Sequence, residues 1–377
     1  TAEMVQKMKD GVDGWGNTNW YDKIYGTGTR THHNISATGG SDRVRFFASI
    51  GYLDEKGNID NYGYNRLNLR SNIDAKLTKS LTFTLGVSGR IEKRDSPRYS
   101  ANPDDWHNVP QQVIRALPYV PATYEYEGKV YNVSTPTASS PVAPLASINE
   151  SGYSKSNYSY IQSNFSLKYD APWLKGLSFK FQGAYDLTYN FSKILTNPYE
   201  VMIMNLPTIE STSLTYYKGT DASGNSISLS ESASRGYTFT TQSSVTYDNK
   251  FGKHTIGAMF LAETRENKSN ALSATGYGLD FIQLDELNQI TNKTGNGTEK
   301  FPTIGGYSGH TRVAGFVGRV NYNYDDKYYL EASLRYDGSY LFGGMNKRWV
   351  TLPGVSAGWR INNESWFNAP WINNLKL

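Results

Sequence analysis

The chain of 377 residues has no cysteine. That absence excludes disulfide frameworks, cysteine-type zinc sites and thiol nucleophiles together. Charged residues are scarce as well, at 19%, below the roughly 25% of ordinary soluble domains. Long apolar runs are missing, so no transmembrane helix is predicted. The chain opens Thr-Ala-Glu-Met and ends Asn-Asn-Leu-Lys-Leu, with no signal peptide, and we expect it to be part of a longer protein.

What the sequence does have is alternation of polar and apolar residues with period two, which predicts β-strands between two different solvents. In residues 64–77 one face has Leu67, Leu69, Ile73, Ala75 and Leu77, and the other has only polar or charged residues and Tyr64. Residues 177–191 repeat this pattern. We predict eleven strands, at 30–38, 42–53, 64–77, 81–91, 157–169, 177–191, 237–249, 253–264, 312–324, 328–336 and 350–361.

Short and long connections alternate between these strands. The short turns are at 39–41, 78–80, 170–176, 250–252, 325–327 and 362–370, and the three longest connections are 92–156, 192–236 and 265–311. Bacterial outer-membrane barrels have short periplasmic turns and long outer loops. The predicted fold is therefore all-β, an antiparallel transmembrane β-barrel in the bacterial outer membrane.

A soluble antiparallel sandwich is the alternative fold, and it is the commoner one overall. Against it stand strands longer than the roughly five or six residues of globular sheets, and Arg, Lys and Asp in the middle of strands. Aromatic residues near strand ends also suit a membrane girdle; these are Tyr62, Tyr169, Tyr247, Tyr324, Tyr328, Trp349 and Trp359.

Little helix is expected. Residues 2–9 have Glu3 in the first turn and Lys7 and Lys9 in the last, which predicts a short N-terminal helix. A second short helical piece is predicted to start at 102–105, with Pro110 interrupting it.

No motif of an enzyme or cofactor site is present. Asp104, Asp105 and His107, beside Trp106, would suit a metal or a sugar, although such runs are more often solvated loops. Residues 221–225 lack the glycine and glutamate spacing of an EF-hand. Basic residues are scattered among nearly as many acids, which argues against nucleic-acid binding. We therefore expect no catalytic residue, no metal and no cofactor.

Several strings of residues together resemble a known family. They are HNISATGGS at 33–41 with FASIGYLDEKG at 47–57, NTNWYD at 17–22, LPYVP at 117–121 with EGK at 127–129, and GFVGRVNYNY at 315–324 with KYYLEA at 327–332, RYDGS at 335–339 and AGWRI at 357–361. In these strings the chain resembles the SusC/RagA family of TonB-dependent outer-membrane transporters. It departs from the family at residues 340–342, Tyr-Leu-Phe, where members usually have a small residue, Arg and Phe.

The resemblance implies a barrel of about 22 strands with a plugged lumen, of which eleven strands are roughly half. Residues 1–29 then resemble the segment that joins plug to barrel, and residues 30–377 are part of the barrel, with extracellular loops at 92–156, 192–236 and 265–311. Residues 371–377 are expected to begin a twelfth strand. The plug and the TonB-binding region are expected elsewhere in a longer protein.

The resemblance also implies active import. A SusD-like surface lipoprotein captures an oligomeric nutrient, and TonB drives the plug so that the cargo enters the periplasm. Oligosaccharide is the expected cargo and peptide the alternative, with outer-membrane lipid around the barrel. A passive porin or adhesin barrel, and a soluble carbohydrate-binding β-protein, stay open as alternatives.

Two sets of site residues follow. Flat aromatic side chains in the long loops suit sugar rings, although they also serve in loop packing; these are Trp106, Tyr119, Tyr124, Tyr126, Tyr131, Tyr216, Tyr217 and Tyr307. Basic residues on the polar strand faces are expected to face the lumen and hold the plug, with a hydrated wall as the alternative; these are Arg66, Arg70, Lys180, Arg319 and Arg335.

Overall fold

A computed structural model of the chain describes residues 2–98, 108–134, 142–207, 214–220, 226–343, 348–369 and 371–377. Its helices are α1 (Ala2–Asp10), α2 (Trp20–Ile24), α3 (Val109–Arg115) and α4 (Pro144–Asn149). Its strands are β1 (Thr29–Gly40), β2 (Val44–Lys56), β3 (Gly63–Lys76), β4 (Leu81–Pro97), β5 (Thr123–Tyr126), β6 (Lys129–Ser134), β7 (Gly152–Asp170), β8 (Leu177–Thr196), β9 (Glu200–Asn205), β10 (Thr215–Thr220), β11 (Ser228–Phe251), β12 (His254–Tyr277), β13 (Thr303–Tyr324), β14 (Tyr328–Ser339) and β15 (Trp349–Trp359).

The main sheet has eleven strands in the order β1-β2-β3-β4-β7-β8-β11-β12-β13-β14-β15. Neighbours in it are antiparallel throughout. Each predicted strand coincides with one of these eleven, so the predicted all-β antiparallel fold is confirmed. The connections 41–43, 77–80, 171–176, 252–253 and 325–327 overlap predicted short turns, whereas the short connection 57–62 between β2 and β3 was not predicted as one.

The long connections are shorter than predicted. The sequence placed them at 92–156, 192–236 and 265–311, whereas the strands leave only 98–151, 197–227 and 278–302 between them. The added strand residues pair along their whole length; Ser228 of β11, for example, lies opposite Tyr277 of β12. The alternation test missed them because a strand that extends beyond the bilayer has water on both faces, so its residues no longer alternate.

The two faces of the main sheet differ sharply in polarity. Phe46, Ile73, Leu85 and Phe165 are lateral partners across β2, β3, β4 and β7, and Phe46 is 44% exposed. Phe165 of this row is exposed as well, and further exposed apolar side chains lie on the same face of the later strands; these are Phe181, Phe260, Phe316 and Leu334. Exposed apolar surface of this extent marks a membrane or a partner in a soluble chain. We refer to this face as the apolar face and to the opposite one as the polar face.

The sheet is open among the described residues, because β1 and β15 each pair with a single strand. The last residues of the chain lie along β15: the Leu377 N–H donates to Trp359 O and the Ile361 N–H to Leu375 O, both at 2.9 Å. This antiparallel contact is what the predicted start of a twelfth strand requires, although only residues 375–377 take part in it.

The helices are short. Helix α1 confirms the predicted N-terminal helix. Pro110 was expected to interrupt a helix and instead lies in the first turn of α3, where its missing N–H costs nothing; the piece predicted at 102–105 lies outside the described residues. In the described ranges, no helix is both long and apolar enough to span a membrane.

A second, four-stranded sheet, in the order β10-β9-β6-β5, lies in the long connections. Together with α3 and α4 it forms what we name the loop domain, residues 108–134, 142–149, 199–207 and 214–220. Its buried core includes Val109, Val120, Val133, Met202 and Met204, all at most 1% exposed. The loop domain therefore folds like a small soluble domain, with its apolar side chains inside.

Residues 2–28, the N-terminal segment, pack onto this core. The Gly16 N–H donates to Tyr119 O at 2.8 Å and the Thr18 N–H to Pro118 O at 2.7 Å. Trp20 is 4% exposed, and its Nε1 donates to Leu117 O at 3.0 Å. The segment thus enters β1 at the long-loop end of the sheet. Tyr62, expected in a membrane girdle, packs against the same core instead.

We predict that Gly16→Ala detaches the N-terminal segment. A Cβ at Gly16 would overlap backbone atoms of Val120 and Pro121, whereas one at Gly26 would meet only Asn58 O at 3.9 Å. Loss of the two backbone hydrogen bonds is worth about 1 kcal/mol each, so amide exchange at Thr18 should accelerate at least about tenfold. Gly26→Ala is the matched control; equal exchange in the two variants would contradict the packing described.

Glu150 supplies a pH-dependent prediction. Burial raises the pKa of its carboxyl, while a hydrogen bond from Asn132 and the charge of Lys129 oppose that shift. Above the raised pKa the folded protein therefore retains a buried charge. Protonation relieves this cost, so the stability of the loop domain should rise as pH falls through the folded pKa toward the unfolded value.

The variant Glu150→Gln should accordingly slow amide exchange in α4 at pH 7, and the difference from the parent should shrink at lower pH. Glu127→Gln, at the exposed turn between β5 and β6, is the control and should change neither. Faster amide exchange in α4 of Glu150→Gln at pH 7 would contradict this prediction, because it would show that a favourable interaction holds the carboxylate.

Candidate functional site

The five basic residues predicted to face the lumen all lie on the polar face. Lys180 of β8 pairs with Ser244, and Arg335 of β14 pairs with Val317. Strand β12 links these two pairs, so Lys180 and Arg335 lie in one lateral row of that face. Arg335 Nε donates to Asp337 Oδ2 at 2.6 Å, and its Nη2 lies 3.9 Å from Glu263 Oε1. The other four form no ion pair with the described residues; these are Arg66, Arg70, Lys180 and Arg319.

A ladder of polar side chains runs across this face from β8 to β14. Gln182 donates to Gln242, and Gln242 donates to Glu263. The next position in the row is Gly315, where a Cβ would overlap the carboxylate of Asp337. The missing side chain leaves space in which Arg335 reaches toward Glu263. Charge-assisted contacts of this kind fix side chains more firmly than neutral ones.

A cavity of about 700 Å³ opens at the long-loop end of the polar face, within the usual size range of ligand sites. Arg30, Glu55, Tyr64 and Arg94 line it, with Ser156 of β7. Arg30 Nε is 2.8 Å from Glu55 Oε1, and the Arg94 guanidinium lies 5.6 Å from the centre of the Tyr64 ring. Sequence reasoning missed this cavity because its lining residues come together only through strand register.

Four of the loop tyrosines pack inside the loop domain. Tyr124 stacks on Tyr216, with ring centres 4.0 Å apart, and the Tyr216 hydroxyl donates to Gly14 O. Tyr119 contacts Trp15 edge to face at 6.1 Å. Tyr131 is 6% exposed. These rings join loops to one another and to the N-terminal segment, and their contact with a ligand stays a prediction.

Charge and burial in this cluster shift two pKa values upward. Burial is the main cause for the Tyr216 hydroxyl, with Tyr124 beside it. The pKa of Lys218 is raised chiefly by its hydrogen bond with the Tyr131 side chain, and its Nζ lies 5.1 Å from the centre of that ring. The phenol therefore stays protonated and the amine charged at any physiological pH.

Three of the predicted tyrosines are exposed. Tyr126 lies at the β5–β6 turn and Tyr217 on β10, while Tyr307 of β13 is 67% exposed. Cross-strand pairing places Tyr307 on the polar face, opposite Ala271. These are the predicted ring faces open to a ligand. Trp106, Asp104, Asp105 and His107 lie outside the described residues, as does the turn at 221–225.

The described residues contain no group of three His, Asp or Glu side chains placed to hold a metal ion. His254 and His310 are instead occupied by neighbours: His254 Nδ1 is 2.7 Å from the Tyr322 hydroxyl, and His310 Nε2 is 2.6 Å from Glu266 Oε1.

Comparison with known proteins gives a consistent result, although no protein-family model matches the chain. TonB-dependent receptor P39 of Formosa agariphila is 26% identical over 368 residues, which cover 94% of this chain and 30% of that protein. TonB-dependent receptor SusC of Bacteroides thetaiotaomicron is 22% identical, covering 97% of this chain and 34% of SusC. The chain thus spans about a third of the length of these relatives.

Among solved structures, the RagAB peptide transporter superposes with a TM-score of 0.72 and 21% identity, covering the whole of this chain and 41% of the matched one. At that identity the match shows a shared fold. The open eleven-stranded sheet therefore has the fold of part of that transporter. This strand-rich fold, together with the TonB-dependent receptor relatives, indicates an outer-membrane protein. The chain is therefore similar to TonB-dependent receptors, SusC among them, and it shares the fold of the matched part of the RagAB transporter.

Proposed function

We propose that this chain forms part of the wall and outer loops of an importer that moves oligomeric nutrients across the bacterial outer membrane. The single observation that carries the proposal is the pairing of an apolar face with a polar face across eleven strands of a TonB-dependent receptor sheet. The long-loop end faces outside and the short turns face the periplasm. No catalytic role is proposed, because the relatives are receptors.

The cargo proposed first is an oligosaccharide. Tyr126, Tyr217 and Tyr307 offer exposed aromatic rings near the long-loop end, and flat rings suit the faces of sugars. The cavity lined by Arg30, Tyr64 and Arg94 lies on the same route, at the outer end of the polar face. Cargo released from the outer loops would meet this cavity before the plug.

Peptide is the second candidate cargo, and a specific observation favours it. The cavity has charges of both signs, with Glu55 and Asp95 beside Arg30 and Arg94. Such a lining would bind the carboxylate and the amine of a peptide better than a neutral sugar. The matched RagAB structure is described as a peptide transporter.

The partners proposed are those of the similar receptors. A SusD-like lipoprotein would sit on the loop domain and capture cargo, while TonB would act through an N-terminal region outside these residues.

Four basic residues of the polar face are free to hold a plug; these are Arg66, Arg70, Lys180 and Arg319. The Nε atom of Arg66 is shielded from solvent without a hydrogen-bond partner among the described residues. The N-terminal segment packs with the outer loops, and its part in joining plug to barrel stays a proposal.

The proposal is tested by purifying the full-length protein from outer membranes and identifying bound lipoprotein and ligand by mass spectrometry. A surface lipoprotein together with an oligosaccharide is the expected result, and a peptide ligand would select the second candidate. Absence of any lipoprotein and of any plug in the full-length protein would favour a passive porin or adhesin barrel instead.

For cargo contact, we predict that Tyr307→Ala reduces uptake of the identified cargo about fivefold, because one aromatic contact is worth about 1 kcal/mol. Tyr189 is the matched control, since it is 46% exposed on the apolar face. Uptake of labelled cargo by cells with equal surface levels of each variant provides the measurement. Equal loss in Tyr189→Ala and Tyr307→Ala would contradict a role for the polar face in transport.

A further inference from the structure

A cluster of charged side chains interrupts the apolar face on β12 and β13. From the start of β12 the residues of that face are His254, Ile256, Ala258, Phe260, Ala262 and Thr264, and Glu266 and Lys268 come next. A tilted strand crosses the hydrocarbon in about 9–11 residues. Counted from His254, the hydrocarbon ends near Thr264, so Glu266 lies at the level of the outer lipid headgroups.

On β13, Arg312 and His310 lie at this same level. Arg312 is the lateral partner of Glu266, and His310 is that of Lys268. Glu266 Oε1 accepts from Arg312 Nε at 3.2 Å, from Arg312 Nη2 at 2.9 Å and from His310 Nε2 at 2.6 Å. One carboxylate thus holds two basic groups at the edge of the apolar band.

The cluster retains unused positive charge. Arg312 has five N–H donors, and two of them donate to Glu266. The Arg312 side chain is 64% exposed. Lys268 is exposed and has no ion-pair partner among the described residues. A guanidinium that is held on one edge and open on the other is suited to bind a phosphate through paired hydrogen bonds.

A groove of about 460 Å³ lies directly beside these charges. Its floor is made of small residues that form one lateral row of the apolar face: Thr264, Ala314 and Gly338. Phe239, Tyr340 and Trp349 line it as well. The Trp349 ring lies over Gly338, where a Cβ would be 2.6 Å from it, and it stacks on Tyr336 at 4.8 Å. The groove is therefore aromatic and continuous with the apolar face.

The rim of the groove is positive. Arg312 and Arg348 line it together with Glu266, and Arg348 Nη2 is fixed by Gly343 O at 3.2 Å. Two arginines against one acid, with Lys268 close by, leave a net positive charge. Cations at headgroup level attract anionic lipids, whereas the aromatic lining is suited to acyl chains.

We propose that this groove binds an anionic membrane lipid of the outer leaflet, with the headgroup phosphate on Arg312, His310 and Lys268 and an acyl chain against Phe239 and Trp349. The site lies on the opposite face of the sheet from the proposed cargo route. Its occupant is therefore a lipid of the surrounding membrane. A bound lipid there would brace β12, β13 and β14 near the outer end of the barrel.

The test uses the full-length protein, delipidated in detergent, with native mass spectrometry as the measure of lipid binding. Phosphatidylglycerol is the anionic probe and phosphatidylcholine the zwitterionic one. We expect phosphatidylglycerol to bind at least about tenfold more tightly, and Arg312→Gln combined with His310→Asn to remove that preference. Inorganic phosphate should compete only weakly, because it offers no acyl chain to the groove.

Lys93→Gln is the matched control. Lys93 lies on the apolar face of β4, two residues after Ile91. It is as far along the chain from Leu81, at the short-turn end of β4, as Arg312 is from Tyr324, at the short-turn end of β13. Lys93 does not line the groove described here. Unchanged preference in the Arg312 and His310 variant would overturn the proposal, because it would show that these residues do not hold the headgroup. An equal loss in Lys93→Gln would overturn it too, because any outward cation at this height would then suffice. Retained resistance of each variant to unfolding in detergent shows that the barrel is intact.

Discussion

A backbone that crosses hydrocarbon has to satisfy its N–H and C=O groups within the protein, because no water is available to do so. The main sheet meets this demand with eleven antiparallel strands paired along nearly their full lengths. The same demand explains why an open sheet is incomplete as a membrane structure. The free edges of β1 and β15 require further strands, and residues 375–377 already lie along β15. We therefore propose that the rest of a barrel completes both edges.

The two parts of the chain follow opposite rules for apolar side chains. In the main sheet Phe46, Phe181 and Leu334 are more than 40% exposed, because lipid covers them. In the loop domain Val133 and Met204 are fully buried, because water surrounds it. One composition serves both environments, and the low content of charge follows from the large area that faces lipid. The N-terminal segment belongs with the second environment, held by Trp15 and Trp20 in the loop core.

The sequence predicted what depends on alternation and missed what depends on register. All eleven strands of the main sheet and helix α1 were predictable because two solvents impose a period of two and because charges at helix ends are local signals. The outer ends of β8, β11, β12 and β13 were not predictable, because both faces of these strands meet water there. The loop-domain sheet was missed because its short strands pair across distant segments; Val133 pairs with Met202. The cavity at Arg30 and the ladder at Gly315 depend on cross-strand neighbours that no single string reveals.

Contact of one face with lipid and of the other with water can be measured with single cysteines, because this chain has no cysteine of its own. Leu69→Cys and Arg70→Cys place single thiols on adjacent residues of β3, one on each face. In the full-length protein in outer-membrane vesicles, with any cysteine outside this chain replaced by serine, nitroxide labels on these thiols should differ in collision with quenchers. We expect the label at position 69 to collide with oxygen and the label at position 70 to collide with a water-soluble nickel complex. Equal access of the nickel complex to both would contradict this expectation.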